Sequence, residues 1–207
     1  MPTTDPITRP GRRALLAGLG SAALLGLLPR PAAADAASQA QGLVMAISAD
    51  LTKLVNSGRS EAQLYRDFEG LLARYADMPA VAAATLGPAW RGASAGQRQA
   101  YVAAFQSYLA RKYGRQFGEY RNASISVAGA RDAGRAGVLV QTVVVRPGQE
   151  NIAVDWQISD RSGRARAVNL IIEGVSLLAN ERAEIGAMLD AQGGSVDRLT
   201  AELRARS

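Results

Sequence analysis

The spacing of apolar residues changes along this chain, and that change limits the fold more than any other feature. From residue 39 to about residue 120 apolar side chains recur three or four apart, the period of a helix. From Ser124 to Glu173 they alternate, the period of a strand. Helical spacing returns at Leu177. The alternating region predicts four strands, over 124–128, 138–146, 151–159 and 166–173. The turns between them fall at 131–137, Pro147-Gly148 and 160–163. Such connections are too short for crossover helices, so the strands are expected to pair antiparallel as a meander. Helices, then an antiparallel sheet, then helices again make an α+β plan with one domain.

The helical segments carry their own punctuation. The first, 39–56, places Leu43, Ile47 and Leu51 on one face and ends at Ser57-Gly58. Ser60 with Gln63, and Ser94 with Gln97, each form a capping-box pattern. The stripe after Ser60 is Leu64, Phe68, Leu71, Leu72 and Tyr75; the stripe after Ser94 is Tyr101, Phe105, Tyr108 and Leu109, in a helix expected to run to about Tyr120. Between them Pro79 opens a short helix that Leu86-Gly87-Pro88 closes. The closing helices are expected over 177–191 and, capped by Ser195, to Arg204. In the sheet Ile152, Val154, Trp156 and Ile158 share one face, as do Val168, Leu170 and Ile172. Asp155, Gln157 and Asn169 fall on the other. An aromatic stripe such as Tyr101 to Tyr108 serves as packing or as one wall of a ligand cavity.

Residues 1–36 read as an export signal. Arg9, Arg12 and Arg13 precede an apolar run from Leu15 to Leu28, and small residues from Ala32 to Ala36 suit cleavage near Ala34 to Ala36. That run is shorter than the roughly 20 residues a membrane-spanning helix needs. Arg12-Arg13 ahead of a glycine-diluted apolar run also fits twin-arginine export. The remainder, 37–207, is then a single domain outside the cytoplasm.

Composition excludes more than it suggests. The chain has no His and no Cys. Imidazole general bases, Ser-His-Asp constellations, thiol nucleophiles and His- or Cys-ligated metals are therefore out. No cofactor is expected. Glycines do not form a phosphate-cradling loop ahead of a helix, and Glu119, Asp155 and Glu173 stand singly, as solvated side chains do. A formal net charge of +6 favours anionic partners. The basic residues do not gather with aromatics on one element, which argues against nucleic acid. With 48% hydrophobic and only 5% aromatic residues, the core is built mainly of Ala, Leu and Val. Nothing in this set makes an enzyme.

One stretch is unlike ordinary punctuation. Leu170 to Leu178 leaves a strand, turns at Gly174 and enters a helix that Ser176 can cap, with Arg182 about two turns into that helix. Glu173 and Arg182 there make either a structural ion pair or a rim for an anionic headgroup.

Ile171-Ile172-Glu173-Gly174-Val175-Ser176-Leu177, with Asn180 and Arg182, resembles the signature of the MlaC (toluene-tolerance, phospholipid-binding) family. Leu86-Gly87, Trp90-Arg91, the 97–105 helix and Tyr113 resemble it in the same order. The chain departs from the usual pattern at Ala165, Val168, Asn169 and Glu181. The resemblance implies a twisted antiparallel sheet of about four strands wrapped by N- and C-terminal helices around an apolar pocket. It implies a non-catalytic periplasmic shuttle. Such a shuttle carries phospholipid between an outer-membrane lipoprotein complex and an inner-membrane ABC transporter with its substrate-binding ring protein. On that expectation Tyr101, Phe105, Ile152, Val154, Trp156, Val168, Leu170 and Ile172 are candidates for the pocket wall, and Arg182 for the headgroup rim. A different hydrophobe, such as a hopanoid, or an adaptor domain with a filled core are the alternatives.

Overall fold

The structure is a computed structural model and describes residues 31–206. Most of the expected export segment lies outside the described residues. Helix α1 (Pro31–Val55) begins earlier than the expected residue 39 and runs through the small residues at Ala34 to Ala36.

Local chemistry sets the ends of the next helices. Helix α2 (Glu61–Tyr75) starts after Ser60, whose amide donates to the Gln63 side chain. Helix α3 (Met78–Leu86) is capped by Asp77, whose carboxylate accepts from the Ala80 amide at 3.1 Å. Gly87, at φ 62°, ends α3, and Pro88 then opens a further short helix, α4 (Pro88–Gly92). Proline suits that first position, where its missing N–H would have no helical partner. In the sequence the same pair marks only a stop. Helix α5 (Ala95–Gly114) opens with the expected capping box: Ser94 Oγ accepts from the Gln97 amide at 3.2 Å, and Gln97 Oε1 from the Ser94 amide at 2.9 Å.

Helix α5 stops six residues short of Tyr120. At Gly114 the Tyr65 ring of α2 lies 2.7 Å from where a Cβ would stand, so only glycine allows that contact. The chain continues through a 3₁₀ turn, Phe117–Tyr120.

The sheet holds β1 (Ser124–Asp132), β2 (Val138–Val145), β3 (Ile152–Ser159), β4 (Arg166–Ile172) and the two-residue β5 (Val175–Ser176). Their spatial order is their chain order, and each pair is antiparallel. The meander was legible in the sequence; β5 was not. Its hairpin turns on Glu173 (φ 49°) and Gly174 (φ 80°), two left-handed residues whose twist suits a two-residue loop. Glu173 is uncommon in that region. Its amide donates to Ala153 O at 3.0 Å, and its carboxylate accepts from the Ala153 amide. A bulge in β4 pairs Gln157 with Asn169 and Ile158 with Ala167, leaving Val168 extra.

Helices α6 (Leu177–Ala191) and α7 (Val196–Ala205) follow, capped by Ser176 and Ser195 as read from the sequence. Helix α1 packs on β1 and β2, while α3 and α6 pack on β4. Helices α2 and α5 pack chiefly on each other, and α5 also on α7. The buried residues therefore form two clusters. One is helical, centred on Tyr101, Phe105, Ile185, Leu199 and Leu203. The other joins α1 to the sheet through Val44, Val140, Val154, Trp156 and Ile158.

Candidate functional site

Between the two clusters lies an apolar cavity of about 310 Å³. Its floor is the inner face of the sheet: Val144, Ile152, Val154, Trp156, Leu170 and Ile172. Its roof comes from α2 through Phe68, Leu71, Leu72 and Tyr75, and from the end of α5 through Leu109 and Tyr113. Ile47, Leu51 and Val55 of α1 close one side; Met78 and Val81 of α3 with Leu177 and Leu178 of α6 close the other. Gln116 is exposed and Phe117, Ile152, Ile172 and Leu177 are half-buried, so the cavity reaches the surface.

The hollow explains two burial patterns. Helix α2 has a broad apolar stripe, yet none of its residues is buried. All seven residues of β4 are half-buried, although β4 lies inside the sheet between β3 and β5. Apolar faces normally exclude water by meeting another element. These two face each other across a gap instead.

Six of the eight residues predicted for the pocket wall line the cavity: Ile152, Val154, Trp156, Val168, Leu170 and Ile172. The bulge at Val168 also brings Ala167 into the lining. Tyr101 and Phe105 do not line it. Both are fully buried in the helical cluster, with their rings stacked at 5.6 Å. The Tyr101 hydroxyl bonds Thr85 Oγ1 at 3.0 Å. Their side of α5 faces α3, α6 and α7, because the helix turns a different edge, Leu109 and Tyr113, toward the sheet. Arg182 is exposed beside Gly87 and is not a lining residue. Glu173 bonds to strand β3, as above, and makes no ion pair with Arg182 in the described residues.

The polar end of the cavity is not legible in the local sequence. Glu181 is the one charged residue among those lining it, and it is 3% exposed. Its Oε1 accepts from Lys112 Nζ at 2.6 Å and from the Tyr113 hydroxyl at 2.5 Å. Lys112 also reaches Glu184 Oε2 at 2.6 Å, and Tyr108 donates to Glu184 Oε1. The partners lie about seventy residues apart in the chain, so no local spacing marks them. Helical spacing of Glu181 with Ile185 and Met188, both buried, was the available hint.

The electrostatics of this cluster follow from its geometry. Burial opposes the charge on Lys112, but the hydrogen bonds to Glu181 and Glu184 outweigh it and raise the ammonium pKa. Hydrogen bonds from Lys112 and Tyr108 lower that of Glu184. Burial, with the Glu184 bond, pushes the Tyr108 phenol up to about 12. A depressed native carboxyl adds stability above its unfolded pKa, about 4.3, and loses it as pH falls through the native value. A raised native ammonium adds stability below about pH 10.4 and loses it as pH rises through its native value. Lys112→Met is expected to cost about 3–5 kcal/mol at pH 7, because it leaves a buried carboxylate without its countercharge. The gap to wild type should narrow as pH falls below about 4.3 toward the depressed Glu184 carboxyl, whose lowering depends first on Lys112. Urea midpoints across pH 3 to 8 check both; a constant gap would sink the assignment.

Fold and site together define an α+β domain that keeps an apolar hollow between its sheet and its helices. The chain belongs to the MlaC family: the family model described as MlaC protein matches residues 45–205. Among solved structures, a phospholipid-binding protein from Ralstonia solanacearum, determined in complex with a phospholipid, shares the fold with a TM-score of 0.69. The two are 21% identical, and the match covers 81% of this chain and 96% of that one.

Proposed function

We propose that this protein is a periplasmic carrier of phospholipid, without catalytic activity. The observation that carries this reading is the pair of apolar faces, on α2 and β4, held apart across a cavity that reaches the surface. Family membership and the phospholipid-bound structural neighbour support it. The chemistry is consistent. Two acyl chains with about 30 methylenes avoid water by roughly 24 kcal/mol, so unaided transfer through an aqueous space is negligible. A carrier must cover that surface, and an unspecific apolar wall does so. The volume lies at the low end of ligand pockets, roughly 300–1,000 Å³. Room for a second chain requires α2, which packs on α5 and α1, to move outward.

On this reading residues 1–36 are an export signal removed before the carrier works, and residues 37–207 are the carrier domain. It loads and unloads at an outer-membrane lipoprotein complex and at the ring protein of an inner-membrane ABC transporter. Arg182, exposed near the start of α6, is available to an anionic headgroup or partner. Native mass spectrometry of the protein, purified without detergent after expression of the full chain, is the direct test. The expected result is a bound diacyl phospholipid, near one per protein. A hopanoid-like mass would change the cargo. A clean apo mass that persists after incubation with vesicles would favour an adaptor domain.

A further inference from the structure

Three cations lie over tyrosines that line the cavity, and two of them are neutralised. Arg74 lies 5.7 Å from the centre of the Tyr75 ring and pairs with Asp50 at 3.1 Å. Lys112 lies 5.6 Å from that of Tyr113 and is held by Glu181 and Glu184. Arg146 lies 5.6 Å from that of Tyr120 and pairs with no carboxylate among the described residues. Its Nη2 makes one long bond, 3.5 Å, to the Glu150 carbonyl; its Nη1 makes none and reaches solvent. Arg146 also stands at the mouth. Val144 lines the cavity and is paired across the sheet with Ile152, one of the half-buried lining residues where the cavity meets the surface. Arg146 follows Val144 by two residues, just past the end of β2, and its contact with Tyr120 holds it on the cavity side.

We propose that Arg146 binds the phosphate of the bound phospholipid. The inference rests on the phospholipid-carrier reading and names the residue that anchors the polar end of the cargo. With acyl chains against the apolar wall, the glycerol and its phosphate come to the mouth. The phosphate diester is the anionic group that phospholipid classes share. A guanidinium meets two of its oxygens with parallel N–H donors, and Arg146 has no acid to compete for them. The Tyr120 ring holds the cation in place before cargo arrives, so less side-chain freedom is lost on binding. Recognition at the phosphate selects phospholipids over neutral lipids of the same chains and is indifferent to the headgroup alcohol.

The test is competitive loading. Protein expressed as the full chain and stripped of lipid is incubated with vesicles holding equal amounts of phosphatidylglycerol and diacylglycerol of identical acyl chains. The lipid retained is then quantified by mass spectrometry. Wild type is expected to enrich the phospholipid roughly tenfold, the value of one charge-assisted hydrogen bond. Arg146→Gln is expected to bring uptake back toward the input ratio. Arg164→Gln removes the same charge from an exposed turn at the opposite end of the sheet and should keep the wild-type enrichment. Uptake by wild type at the input ratio overturns the proposal without any variant. So does an enrichment that Arg146→Gln leaves intact, or one that Arg164→Gln lowers equally; in each case the carrier reading stands. Inorganic phosphate tests the other source of the same chemistry. It should leave the melting temperature of lipid-free wild type unchanged. A rise that Arg146→Gln lacks would assign the site to a free anion and overturn the headgroup role. Uptake of neither lipid overturns both this proposal and the carrier reading.

Discussion

Replacing Leu170 by Asp is expected to leave the protein folded and almost free of lipid. Leu170 is paired across the sheet with Trp156, sits on the cavity floor and is only half-buried. In the empty protein an aspartate there keeps contact with water through the open cavity. With acyl chains in place the same carboxylate faces hydrocarbon and has no partner. An unpaired charge in such surroundings costs several kcal/mol, and each methylene displaced from the wall forfeits about 0.8 kcal/mol more. Lipid recovered with the purified protein should fall at least tenfold. Leu170→Ala, which enlarges the hollow without charging it, should retain its cargo. Val154→Asp makes the contrast: Val154 is 7% exposed in β3, between two paired strands, so that charge should cost the fold as well. Full lipid occupancy in a folded Leu170→Asp protein would show that the cavity is not the binding site.

Phe105→Ala should do the reverse. Phe105 is fully buried in the helical cluster, between Tyr101 at 5.6 Å and Tyr108 at 6.4 Å, and does not reach the cavity. Removing its ring leaves a void that close-packed neighbours only partly fill, at about 3–5 kcal/mol. The denaturant midpoint should drop accordingly, while lipid bound per folded molecule stays at the wild-type value. If stability holds and lipid is lost, Phe105 belongs to the pocket after all. Together the two variants separate the core that holds the protein together from the surface that holds its cargo.

The contrast between Leu170 and Phe105 also marks how far the sequence reaches. Periodicity identified the longer helices and the four main strands, and the short turns gave the antiparallel order, because each depends on residues near one another in the chain. Ser94 with Gln97, Ser176 and Ser195 cap where local chemistry says they should. The inner face of β3 was equally legible, since side chains alternate strictly along a strand. What periodicity reports, though, is only that a face avoids water. The stripe of α5 at Tyr101 and Phe105 and the stripe of α2 at Phe68 and Leu72 read alike in the sequence.

Tertiary structure decided which stripe meets a partner and which meets a gap. Helix α5 turns Tyr101 and Phe105 onto α3, α6 and α7, while α2 spans the hollow over the sheet. The stop at Gly114 depends on Tyr65, from another helix, filling the space a side chain would need. The bulge at Val168 depends on pairing with β3. The Lys112–Glu181 contact joins two helices that the whole sheet separates in the chain. Sequence by itself set the elements and the sides they hide from water, because those follow from local spacing. Where they leave room for a ligand is a property of the space between them, and only their packing creates it.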